Sequence, residues 1–302
     1  SLGEAKVAGA NASWVASGQL QIGNLGEGIL RVEQGGWLST SSATLGTLVD
    51  AGQSTALVTG VGSRWDSAGD LGVDRGTLTI ADGGVLNADK VNVGETNGST
   101  AWVNLSGAGA ALNVTGQLVI GSTGGQGTVS LGTGATINAQ GQFLLLKDGV
   151  LNLDGGTLNV GWSINEGQVN WNSGTVNFLG ATNTGGGLLT HSNGMGAGMN
   201  INVKERLTIQ TGDNLSFNGG QGSALELVND GDLGVGSLST LTVGARGVFN
   251  LGALQLAGGT ISSAGLVDNR GLVSGYGVIT GAGGLVNSGL LRQGDGNLVL
   301  SN

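Results

Sequence analysis

No cysteine and no proline occur in the 302 residues, and histidine and tyrosine occur once each. Without cysteine there is no disulfide framework and no thiolate metal site. That absence leaves the redox compartment open, because a self-stacking fold needs no covalent staples. At the usual share of about 5 %, a chain this long would hold roughly 15 prolines. Proline cannot donate to a β ladder and is confined to sheet edges and turns, so its absence points to strands with neighbours on both sides. Charge is scarce too: 10 % of residues, with 11 basic against 20 acidic, a net charge of −9. No basic stripe exists to release counterions, which excludes nucleic acid as a partner and disfavours a bare anionic membrane. No run of 18 apolar residues is present, so no helix inserts directly into a bilayer. The first ten residues, SLGEAKVAGA, lack the basic start and apolar stretch of a signal peptide. Any such segment is expected to have been removed or to lie outside this sequence.

Glycine is abundant instead: 64 residues, roughly three times the usual share. It does not recur at every third place, which rules out collagen. Apolar residues make up 39 % and follow a pattern, which argues against disorder. Three stretches superimpose: VAGANASWVASGQLQIG from Val7, VTGVGSRWDSAGDLGVD from Val58 and LSGAGAALNVTGQLVIG from Leu105. Gly9, Gly60 and Gly107 correspond, giving units of 51 and 47 residues. Trp14, Trp65 and Leu112 follow, then Gly18, Gly69 and Gly116. A second motif sits inside each unit: GILRVEQGGWL, GTLTIADGGVL and GTVSLGTGATI. Its apolar positions alternate with polar ones, the period of a strand with one buried face. Pairs such as Gly83-Gly84 allow the positive φ of a sharp corner. No window carries a helical period. The grammar predicts short strands of three to five residues, three to a coil and about 24 residues per coil, hence roughly 12 coils of a β-solenoid. Leu71, Val73, Leu78 and Ile80 are predicted to face inward. The register is regular over residues 1–140 and less so over 141–302, with Thr182–Asn200 the least regular part. No linker composition interrupts the chain, so a single elongated domain, 1–302, is expected.

The pattern V-x-G-x-G-S-x-W-x-x-x-G-x-L-x-V, from Val58 to Val73, resembles the repeat of bacterial autotransporter passenger domains, also found in exosortase-sorted surface proteins. Gly275–Asn302, with its Asn-Ser-Gly and Gly-x-Gly-x-Leu-x-Leu runs, resembles the closing coils of those passengers. The resemblance implies a right-handed parallel β-helix displayed outside a bacterial cell. It implies no single activity, since adhesins, proteases and stalks share the scaffold. Neither a C-terminal membrane barrel nor an exosortase signal is present in these residues. A released passenger, or another route to the surface, is therefore expected.

Candidate chemistry is thin. His191 has no Gly-x-Ser-x-Gly elbow to serve and too few companions for zinc. Asp66, Asp70 and Asp74 are spaced by four; Asp70 and Asp74 are predicted to point outward, about 7 Å apart by strand rise. That spacing suits an inverting glycosidase or a cation site, or simply a solvated acidic face. Asp230 and Asp232 in NDGDLG suit a turn or a weak calcium loop. The calcium nonapeptide is absent. Trp14, Trp37, Trp65, Trp102, Trp162 and Trp171 are assigned mainly to packing, with one of Trp162 and Trp171 open to solvent. Glycine-rich stretches such as GSTGGQG precede no helix, so no phosphate cradle forms.

No catalytic, cofactor-binding or metal-ligating residue is therefore nominated, no cofactor is expected, and the chain is read as a non-enzyme. The expected role is that of an extracellular structural or adhesive solenoid. Its expected partners are other copies stacked end to end, surface glycans or cell receptors. The alternative is a polysaccharide-binding or polysaccharide-degrading β-helix.

Overall fold

The computed structural model describes residues 2–47, 53–184, 188–189 and 194–302. It contains two compact units, Ser1–Gly174 and Thr175–Asn302. Each is a parallel β-solenoid, and together they make about 14 turns with no helix among the described residues.

In the first unit successive rungs pair in parallel at offsets of 20 to 28 residues. Leu2 lies beside Glu27, Ile29 beside Thr55, Thr55 beside Thr77 and Thr77 beside Trp102. Two rungs of 22 and 25 residues make the 47-residue unit visible in the sequence. The strands are longer than the three to five residues expected: Arg64–Val73 and Thr136–Leu145 run for ten each. Two short segments are fused because the corner between them is a bulge rather than a loop. The register slips between Ser67 and Asp70, and again between Val114 and Gln117. A bulge bends the strand while the ladder hydrogen bonds resume on either side. Glycine is required there by close approach: a Cβ on Gly141 would lie 1.9 Å from the carbonyl oxygen of Gly116.

The interior is a set of apolar rows. Leu71, Val73, Leu78 and Ile80 are fully buried, as their repeat positions predict. Trp65 is also enclosed, between Leu38 of the preceding rung and Leu86 of the next. Its indole Nε1 donates to Thr40 Oγ1 at 3.1 Å, which removes the penalty of a buried unpaired N–H. Trp14 and Leu112 occupy the same row; Leu112 is buried, and Trp14, on the first rung, is half-buried.

In the second unit the rungs shorten. Asn200 pairs with Gln221, Thr240 with Thr260 and Thr260 with Val278, offsets of 21, 20 and 18 residues. Shorter rungs explain both the loss of the 50-residue register and a turn number above the 12 counted from a 24-residue coil. The shortening comes at one corner. Strands end at Asn229, Asn250, Asn269 and Asn287, and the next begin three residues later, at Asp232, Ala253, Leu272 and Leu290.

Candidate functional site

The predicted acidic triplet is split by the bulge. Asp66 lies before it, half-buried on the outer face of Arg64–Val73. Alternation puts Arg64 on the same face two residues away, and its Nε donates to Asp66 Oδ1 at 2.6 Å. From the preceding rung Trp37 Nε1 donates to Oδ2 at 2.7 Å; from the next, Asn87 Nδ2 donates to Oδ1 at 2.7 Å. Burial pushes the Asp66 carboxyl up, but the bonds from Arg64, Asn87 and Trp37 outweigh it and hold the group below its ordinary 3.8. A carboxylate held ionised with both oxygens occupied is a poor general acid or base at neutral pH. It instead terminates a row of amides: Asn159 donates to Asn138, Asn138 to Asn113 and Asn113 to Asn87.

Asp70 lies after the bulge, exposed and in register with Lys90. Asp74 follows the end of the strand, and its Oδ1 accepts from the backbone N–H of Thr96 at 3.3 Å. The two acids line one polar surface groove with Gln19, Thr44 and Asn92. Asp230 and Asp232 sit at a corner where their N–H groups donate to the carbonyls of Ile209 and Asp213. Among the described residues no three His, Cys, Asp or Glu side chains come together as a metal would need. His191 lies outside the described residues.

The side chain beside Asp230 has the larger role. Asn229, Asn250 and Asn269 are buried inside the second unit and stack one rung apart. Asn229 Nδ2 donates to Asn250 Oδ1 at 2.7 Å, Asn250 to Asn269 at 2.6 Å, and Asn269 to Asn287 at 2.6 Å. The Nδ2 groups of Asn229 and Asn250 also reach the carbonyls of Ala253 and Leu272. The signal was present as Asn-x-Gly at 229, 250, 269 and 287, hidden by spacings that shrink from 21 to 18 residues.

The tryptophans divide by environment. Trp65 is interior, Trp37 is tied to Asp66, and Trp102 is half-exposed between Thr77 and Thr128 of the flanking rungs. Trp171 is half-buried, whereas Trp162 points outward and is 52 % exposed. The outward row through Trp162 continues rung by rung to Gln142, Gln117, Lys90 and Asp70.

This surface has one informative relative. Over 286 residues the chain is 28 % identical to the protein named Adhesin BmaC autotransporter from Brucella suis biovar 1 (strain 1330), a match covering 84 % of this chain. The chain spans about 8 % of the length of that curated relative. No family model and no solved structure matches the chain. The similarity and the parallel β-solenoid fit an autotransporter passenger β-helix.

Proposed function

We propose that this chain is part of an adhesive protein on a bacterial surface, with the solenoid acting as a rigid, polar scaffold for contact and not as an enzyme. The observation that carries this reading is the match to an autotransporter adhesin along 84 % of the chain. The geometry supports it: the one carboxylate with a shifted titration among the described groups, Asp66, is saturated by donors from its own fold. Stacking on further coils or on other copies belongs to the same proposal. Leu300 of the last strand, beside the buried Ile279, is 37 % exposed, and Trp14 and Leu20 of the first rung are half-exposed. An apolar row of this kind is completed by another rung.

Display of residues 1–302 on a non-adherent bacterium tests the reading. Attachment to cultured epithelial cells is expected to rise above that of the same bacterium displaying an unrelated β-solenoid. Equal attachment overturns it. Sedimentation of the purified chain tests the stacking, which predicts species that grow with concentration.

A further inference from the structure

Trp162 breaks the rule that the rest of its strand obeys. In Gly161-Trp162-Ser163-Ile164-Asn165 the apolar side chains alternate with polar ones, as in a strand with its apolar face inward. A slip of one residue would bury them. The register does the reverse: Ser163 pairs with the buried Phe143, and Asn165 with the buried Leu145, while Trp162 lies beside exposed Gln142. Ile164 pairs with Leu144, which is also on the outer face. A sequence that puts its largest apolar side chain into solvent departs from local consistency, and such departures concentrate at functional positions.

The surroundings say what the indole faces. Along the axis the row is Trp162, Gln142, Gln117, Lys90 and Asp70, one side chain per rung, at intervals of about 4.8 Å. Gln117 and Gln142 are joined by a hydrogen bond through their amides, which fixes their orientation and leaves amide hydrogens and oxygen lone pairs for a ligand. Beside this row runs a strip without side chains, made by Gly116, Gly141 and Gly161. Gly141 and Gly161 are required by backbone contact: a Cβ on Gly161 would lie 2.0 Å from the carbonyl oxygen of Gln140. The result is a shallow trough with an aromatic face at one end and amides along its wall. Its single Lys and Asp are of opposite sign, and the chain as a whole is at −9, so nothing here attracts a polyanion.

We propose that this trough binds a neutral polysaccharide lying along the solenoid axis, one sugar ring stacked on Trp162 and its neighbours' hydroxyls bonded to Gln142 and Gln117. An amphipathic ring suits a sugar's apolar face, and paired amides suit its hydroxyls. The proposal deepens the attachment reading and rests on it for the choice of ligand.

Affinity electrophoresis of the whole chain tests it, in gels containing dextran, laminarin, yeast mannan, arabinogalactan or hydroxyethylcellulose, with alginate as the polyanion. At least one neutral polysaccharide is expected to retard the protein, and alginate is not. W162A should weaken that retardation about tenfold or more, as truncating a tryptophan anchor does. W162F should keep most of it, Q142A should weaken it about threefold, and W102A, on another face, should leave it unchanged. No retardation by any neutral polysaccharide, or equal retardation of wild type and W162A, overturns the site. Attachment of displaying cells separates the two readings. Attachment without retardation keeps the adhesive role and removes this site; retardation without attachment does the opposite.

Discussion

The two units solve the same corner differently. In the first, the interior position that closes the rung is aliphatic at Ile22, Leu45, Val73, Val93, Ile120 and Leu145, and becomes asparagine at the last, Asn165. Among the connections described throughout, length varies from the single Asp74 to the six residues 94–99. In the second, the row begins at Ile209 with a four-residue connection, and the closing residue is then asparagine at 229, 250, 269 and 287, each followed by a connection of two residues. In both units the carbonyl of the closing residue is met by a backbone N–H of the next rung, as when Gly94 donates to Val73, Gly121 to Val93 and Leu251 to Asn229. The two-residue corners are followed by strands whose first carbonyls, at Ala253 and Leu272, are met by buried amides. The two-residue corners of the second unit therefore go with a polar side chain inside the core. The same amide stacked outside, at Asn87 to Asn159, is an addition rather than a requirement.

Four measurements break or sharpen that contrast. The largest effect is expected from Asn250→Ala, which removes one of the two bonds of Asn229 Nδ2 and takes the amide donor from Asn269 Oδ1 and the Leu272 carbonyl at once. At 1–3 kcal/mol for each buried group left unpaired, partly relieved by relaxation, a loss of about 4 kcal/mol is expected in urea unfolding. A loss below about 1 kcal/mol would place the ladder among dispensable contacts.

Leu78→Ala in the first unit and Leu254→Ala in the second should each cost about 3 kcal/mol by cavity formation, because both side chains are enclosed in apolar rows. Unequal costs would mean that the units differ in more than their corners.

The third measurement uses pH. Asp66 has a folded pKa below its ordinary 3.8. Its contribution to stability is therefore complete above that value and is lost as pH falls through the lower folded one. Asp66→Asn should lower the neutral value modestly and flatten the acid limb of the stability profile below about pH 4. An unaltered limb would show that the Arg64, Asn87 and Trp37 bonds do not persist in solution.

The smallest effect is expected from Asn113→Ala, outside the first unit. Both of its amide partners keep access to water, so the change should stay within about 0.5 kcal/mol. A cost comparable to that of Asn250→Ala would erase the distinction between outer and inner ladders.

Much of this was legible in the sequence. Gly9, Gly60 and Gly107 gave the rung pairs, and the inward set around Leu78 followed from alternation, because apolar periodicity and close backbone approach act on each rung alone. The Asn ladder was not legible, for a physical reason. Asn113 faces out between the inward Leu112 and Val114, whereas Asn250 closes its strand at a position that Val73 and Leu145 make aliphatic in the first unit, so residue type alone does not mark it as interior. Trp162 was hidden differently. Its own alternation favours burial, and the register imposed by Phe143 and Leu145 on the neighbouring rung prevails. The acids at 66, 70 and 74 looked like one set by spacing, and a one-residue register slip after Ser67 separates Asp66 from the other two.

The inner ladder also has a direction. Each amide donates toward the C-terminus, and Asn229 Oδ1, at the start, has no donor among the described residues and lies over Ile209. Adding an asparagine at the start would move that orphan acceptor back by one rung without creating a second. Removing a whole rung would move it forward. The penalty at the start is thus independent of how many rungs follow. Duplication or deletion of complete rungs can change the length of such a protein without reopening the question of whether its core is satisfied, so length is free to drift while the corner motif is held.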